Sequence, residues 1–288
     1  MADYSIISCV SRQDVYESCL LESVRKQQYG RDVEIIPILN IHSLYSASMA
    51  LNHGIDVARS NTLIFAHQDV YLLDGWFDSL DEHLRQKPSD CAIIGSAGID
   101  LRYGRADIGY WGGSTTVDTV AVGRVWDSLD KIDQTPYWNG NKDLTRSHCA
   151  DECLFVLDKR TNLRFDLGYT GFHFYGVDIC LQARAAGYGV YCGDLPIVHD
   201  GRYSASYTAD RRYWTYLRYL HNKWRYRFPE FLGTHMHWAA DELTSYIPMK
   251  LVANTGTNIL VKSMSINKFK LRKEHVDLTQ TIRHCEDG

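Results

Sequence analysis

No apolar run in these 288 residues approaches the ~20 that a helix needs to cross a bilayer. Asp3 and Tyr4 lead at once into strand-like sequence, so no signal peptide is expected. The eight cysteines contain no CxxC pair, and several sit inside apolar runs such as "IISCV" and "DCAIIG". That pattern excludes a disulfide framework and reads as reduced, buried thiols in a cytosolic setting. There is no glycine-rich phosphate loop, so P-loop and dinucleotide-binding readings have no support. Internal repeats and low-complexity segments are missing too. Neither sign of charge dominates: 31 Lys and Arg face 35 Asp and Glu, the net charge is -4 and the pI is near 6.3. Nothing in that balance draws the chain toward nucleic acid.

What is present is an ordinary globular composition, 45% hydrophobic and 23% charged, long enough to bury a sizeable core. Tyrosine and tryptophan stand out, at 19 and 7 residues. Sugar-handling proteins use such rings, because the C–H faces of a pyranose stack on them. The first hundred residues alternate in type. Strand patterns at 4–11, 33–40, 61–66 and 91–98 are separated by helical spacing over 14–29, 43–60 and 75–86. In the second of these helices Ala47, Ala50, Leu51, Ile55 and Ala58 fall on the inward face. Such alternation predicts βαβ units and a mostly parallel sheet, an α/β fold.

Ligands of such sheets sit outside the carboxyl ends of the strands. Those ends are Ser8–Ser11, Asn40–Ser43, His67–Asp69 and Gly95–Gly98, all of which carry small or polar residues. The third is the most pointed. In "LIFAHQDV" a buried strand stops at a histidine and a carboxylate, which delivers two metal-capable groups to one edge of the sheet. From 99 to 150 the pattern loosens into glycines and alternation, as in a hairpin or a long functional loop. Order returns with a strand at 152–159, a helix "VDICLQARAAG" ended by Gly187, and strand material running to His199.

These pieces resemble the GT-A glycosyltransferases, in particular the family-2-like group. "LNHGIDVARSNTLIFAHQDV" is similar to that family's Asn-x-Gly-Ile helix followed by a strand capped with Asp-x-Asp. Here His67 stands at the first Asp and Asp69 at the second. "DECLFVLDK" and "GFHFYGVDICLQARAAGYGVYCGDLPIVHDG" resemble the second half of the same fold. The resemblance covers residues 4–201. It implies a GT-A type Rossmann-like sheet flanked by helices, as a catalytic domain over 1–201. Residues 202–288 then form a helical C-terminal extension packed on it.

The resemblance also implies an inverting, metal-dependent transfer from a nucleotide-sugar donor, UDP-linked by preference, to a glycan or lipid-linked saccharide. Synthesis of a bacterial surface polysaccharide would use such a step. Asp69 is then a carboxylate ligand of Mn²⁺ or Mg²⁺, and His199 corresponds to the family's C-terminal metal-contacting histidine. Ser11, Asn40, His67 and Gln68 lie where the donor is gripped. Asp178 matches the catalytic carboxylate that takes the acceptor's proton. Asp151 and Glu152 match an acidic pair there, and with His173 and Tyr175 they form the expected sugar-binding wall.

The bland readings run beside these: strand-end and helix-start carboxylates, a half-buried histidine, a solvated turn. Two other function classes stay open, a non-catalytic sugar- or nucleotide-binding module and a metal-dependent nucleotidyltransferase. The basic, aromatic segment 210–227 could rest on the anionic inner face of a membrane or pack on the catalytic domain.

Overall fold

The structure, a computed structural model, describes residues 2–102, 121–200, 211–232, 236–239, 242–246 and 263–265. The N-terminal half alternates as its periodicity predicts. β1 (Tyr4–Val10), β2 (Val33–Leu39) and β3 (Thr62–Ala66) pair in parallel, with β1 in the middle. The helical run between β1 and β2 has three parts: α1 (Gln13–Tyr16), a π-turn (Glu17–Leu21) and α2 (Glu22–Gln27). α3 (Ala47–Val57) joins β2 to β3, and the Ser46 side chain caps it by accepting from the Met49 N–H at 3.2 Å. β4 (Val70–Leu72) and α4 (Trp76–Gln86) follow.

The expected strand 91–98 is two strands. β5 (Cys91–Gly95) lies in the first part of the sheet, and beyond Ser96 β6 (Ala97–Asp100) crosses into the second. The loosely patterned stretch after it supplies β7 (Ala121–Trp126), β8 (Trp138–Asn139) and β9 (Thr145–Ala150), and residues 103–120 lie outside the described part. β10 (Leu154–Asp158), α5 (Tyr175–Ala185), β11 (Gly189–Cys192) and β12 (Ile197–His199) complete the unit. Gly187, at φ +89°, takes the left-handed position that ends α5.

The strand order is β2-β1-β3-β10-β5-β11-β9-β6-β7-β12-β4, with β8 beside β7. β5–β11 and β7–β12 are parallel, whereas β10 enters antiparallel between β3 and β5. Both faces of the sheet are covered, which is why its strands read as continuous apolar runs. Ile7 and Phe65 face a core completed by Leu51 and Ile55 of α3 and Ile179 of α5. Their neighbours Ile6 and Ile64 face the opposite core, with Leu20, Trp76 and Leu80.

Beyond residue 201 the expectation of a helical extension is met in part and corrected in part. α6 (Arg211–Trp224) is a helix packed on the first core through buried Tyr213, Tyr216, Leu217 and Leu220. Its interleaved aromatics therefore divide: these tyrosines go inward, and Tyr219 and Tyr226 stay exposed. The helical reading of 225–231 fails. Pro229 lacks an amide hydrogen, and the chain leaves it as β13 (Glu230–Leu232). β14 (Met236–Ala239), β15 (Glu242–Tyr246) and β16 (Ser263–Ser265) make a second, antiparallel sheet with it. Among the described residues no helix is long and apolar enough to cross a membrane.

Candidate active site

β3 delivers its C-terminal tripeptide to the sheet edge under tight control. The His67 amide donates to the Cys153 carbonyl at 2.9 Å, which carries the β3–β10 pairing one residue further. The chain then turns, with the Val70 amide bonded to the His67 carbonyl at 3.2 Å, and enters β4. β4 runs antiparallel to β12, in a register that sets His199 opposite Val70. The Asp200 amide donates to the Asp69 carbonyl at 3.0 Å. This pairing brings residues 132 positions apart together: His67 Nδ1 lies 3.3 Å from His199 Nε2. Asp69 Oδ1 lies 3.6 Å from the same His199 nitrogen.

One ligand atom from each of His67, Asp69 and His199 falls within 4.8 Å of the others. Two imidazoles and a carboxylate at this spacing can share one divalent cation. Burial, and next the facing His199, push the His67 imidazole down to about 4. At neutral pH His67 is therefore uncharged and has a lone pair to offer. The donor set fits the metal expected from the sequence.

Gln68, between the two ligands, faces the end of β1. Its Oε1 accepts from the Ser11 and Arg12 amides at 2.9 and 2.8 Å, and its Nε2 donates to Ser11 Oγ at 3.0 Å. Ser11 and Gln68 thus form one clamp beside the metal-capable cluster. Asn40 is buried and looks inward: its amide donates to the Tyr45 carbonyl at 2.8 Å and accepts the Tyr45 N–H at 3.0 Å. It shapes the loop after β2. On that loop and the facing 167–172 segment Leu44, Tyr45 and Phe172 are exposed, and the Ala47 amide ties the two segments together through the Gly171 carbonyl at 3.1 Å.

The acidic pair lies on the turn between β9 and β10. Asp151 Oδ1 accepts from the Cys153 amide at 3.0 Å. The half-buried Glu152 reaches beneath the start of α5, where its two oxygens accept from the Phe174 and Gly176 amides at 3.2 and 3.1 Å. A side chain at 176 would collide with it, since a Cβ there meets Glu152 Cβ at 2.5 Å. Burial, and after it the charge of Asp151, push Glu152 up to about 8, against the two amides that pull it down. Its proton affinity suits a general base near neutral pH. The adjacent acids "DE" were visible in the sequence; the burial that separates their roles was not. His173 is half-buried, its ring against Tyr213 at 5.5 Å between centroids. Tyr175 is only 4% exposed, and its hydroxyl lies 2.8 Å from His67 Nε2. In this structure its hydroxyl is taken up by His67, whereas the sequence suggested a sugar contact.

Asp178 departs furthest from expectation. It lies in the first turn of α5, but its side chain is fully buried against α6. Its carboxylate receives Trp224 Nε1 at 2.7 Å, Gln182 Nε2 at 2.8 Å, Lys223 Nζ at 2.9 Å and the Tyr169 hydroxyl at 3.3 Å. Four donors fill its oxygens and an ammonium already pairs its charge. The sequence points to the acceptor's base at this position; in the structure the same carboxylate joins α5 to α6. The sequence carried no sign of its partners, which are nine or more residues away except Gln182.

A family model described as "Glycosyltransferase like family" matches residues 5–215. A curated relative is the "ATP synthase subunits region ORF 6" protein of Fuscovulum blasticum, 26% identical over 170 residues, 58% of this chain and 61% of that protein. The chain thus spans about three fifths of the curated relative's length. Among solved structures, mannosyltransferase PcManGT from Pyrobaculum calidifontis, in complex with GDP-Man and Mn²⁺, superposes with a TM-score of 0.50. That match has 10% identity and covers 77% of this chain and 64% of the other. GalNAc-T7 with UDP, GalNAc and Mn²⁺ has a TM-score of 0.45 and 11% identity, over 69% and 44% of the two chains. The mannosyltransferase match is a likeness of fold alone, and the α/β fold here is of the GT-A type.

Proposed function

The chain belongs to the glycosyltransferase-like family whose model spans residues 5–215, and we propose that it is an inverting, divalent-cation-dependent enzyme acting on a nucleotide-sugar donor. The observation that carries the reading is the convergence of His67, Asp69 and His199 at the ligand edge of the sheet. These three would hold Mn²⁺ or Mg²⁺, which when bound neutralises the charge developing on the leaving diphosphate. The clamp of Ser11 and Gln68 at the end of β1 would receive the nucleoside, with Asn40 fixing the loop beside it. The GDP-Man bound with Mn²⁺ in the superposed mannosyltransferase supports a nucleotide-sugar donor without choosing the nucleotide.

The acceptor would enter over Asp151 and His173 with its nucleophilic hydroxyl directed at Glu152. As that oxygen attacks the anomeric carbon, Glu152 takes its proton while the bond to the diphosphate breaks, so the configuration inverts in one displacement. The exposed Leu44, Tyr45 and Phe172 along the rim suit a saccharide, free or lipid-linked. A growing surface glycan would fit such a rim.

A donor panel tests this. UDP- and GDP-sugars with Mn²⁺ and saccharide acceptors are followed by nucleoside diphosphate release. Wild type should turn over and its rate should rise with pH toward about 8, as Glu152 loses its proton. Glu152→Gln should lower the rate by about 10²–10⁴-fold and remove that rise. NMR of the product showing a retained anomeric configuration, or full activity in Glu152→Gln, would refute the mechanism.

A further inference from the structure

The two ring nitrogens of His67 face different partners. Nδ1 looks into the space shared with His199 and Asp69, and Nε2 meets the Tyr175 hydroxyl at 2.8 Å. A neutral imidazole has one N–H and one lone pair, and which nitrogen carries which is set by the hydrogen bond at the other. If Nδ1 is to bind a cation, the proton must sit on Nε2. There it is half-buried and needs an acceptor; left without one, such a group is costly.

Tyr175 is built to be that acceptor. It is the first residue of α5, 4% exposed, with its ring against Phe165 at 5.8 Å between centroids. The amides on either side of it, at Phe174 and Gly176, are both held by the Glu152 carboxylate. Ring and backbone are thus fixed independently. We propose that Tyr175 is the positioning residue of the candidate metal centre: its oxygen accepts the Nε2 proton of His67 and so turns the Nδ1 lone pair toward His199 and Asp69. The contact also links the two halves of the site, since one helix start then holds both the histidine and Glu152.

The inference rests on the metal reading above, and the experiment separates the two. Mn²⁺ alone is titrated by calorimetry into the full chain, as wild type, His67→Ala and Tyr175→Phe. Wild type should bind and His67→Ala should not. Tyr175→Phe keeps the ring and should weaken binding by about 10–100-fold, the usual scale for losing the partner of a metal-bound histidine. Its melting temperature serves as the control for a merely structural loss. Unchanged affinity in Tyr175→Phe, with wild type binding, overturns this inference and leaves the metal reading standing. No binding by wild type removes the metal reading and this inference with it. A readout that does not depend on the variant folding is ¹⁵N NMR of histidine-labelled wild type loaded with diamagnetic Mg²⁺. The His67 Nε2 should carry the proton; a proton on Nδ1 instead overturns the proposal.

Discussion

Asp69 and Asp178 both sit where the sequence resembles motifs of one family, and both are buried, at 7% and 0% exposure. They differ in what the neighbouring elements bring. Asp69 meets two imidazoles at a sheet edge, one of them made uncharged by burial, so its own charge stays available to an ion. Asp178 meets an ammonium, an indole N–H, an amide and a phenol, supplied mainly by α6 and by the loop before α5. One carboxylate is left with work to do and the other is already satisfied. A carboxylate's role is therefore decided by its donors, which motif and helix position do not specify.

The comparison can be broken most directly at Asp178. Asp178→Ala leaves Trp224 Nε1 and the Tyr169 hydroxyl without their acceptor and Lys223 held by Asp166 alone, and should destabilise the fold by about 3–5 kcal/mol in denaturant unfolding, the scale for orphaning two or three buried donors. Mn²⁺ affinity of the folded protein should be unchanged. Near-native stability together with a transfer rate lowered about 100-fold would instead return Asp178 to the role of base.

Asp69→Ala should give the opposite result. Cation affinity should fall by at least about 100-fold, or about 2.7 kcal/mol, while the unfolding midpoint stays close to wild type. The reason is that its side chain ends at the sheet edge and fills no core. A melting temperature that collapses, with cation binding kept, would equate the two aspartates and defeat the comparison.

A smaller effect sharpens it, through Glu152. The folded chain holds this proton up to about 8, whereas an unfolded one releases it near the ordinary 4.5. Between those values the native state binds more protons, so the stability Glu152 contributes is full below the lower value and is lost as pH rises through the upper one. Glu152→Gln should flatten that decline, by about 3 kcal/mol at most, between pH 5 and 8. A wild-type curve already flat over this range would mean that Glu152 is an ordinary ionised helix cap.

The sequence alone determined the local order. β1, β2, β3, α3 and α4 could be read from it because their periodicity is a property of neighbouring residues. So could the strand ends where ligands gather, because an apolar run that stops at His67, Gln68 and Asp69 shows its edge directly. Tertiary structure decided which groups meet. The antiparallel pairing of β4 with β12 set His199 against Asp69. The approach of α6 closed Asp178, and a bare Gly176 admitted Glu152 beneath the helix start. The physical reason is one of range. Hydrophobic periodicity is felt over a turn or a pleat, whereas a carboxylate's proton affinity and partners are fixed by burial and by donors that the chain brings from tens of residues away.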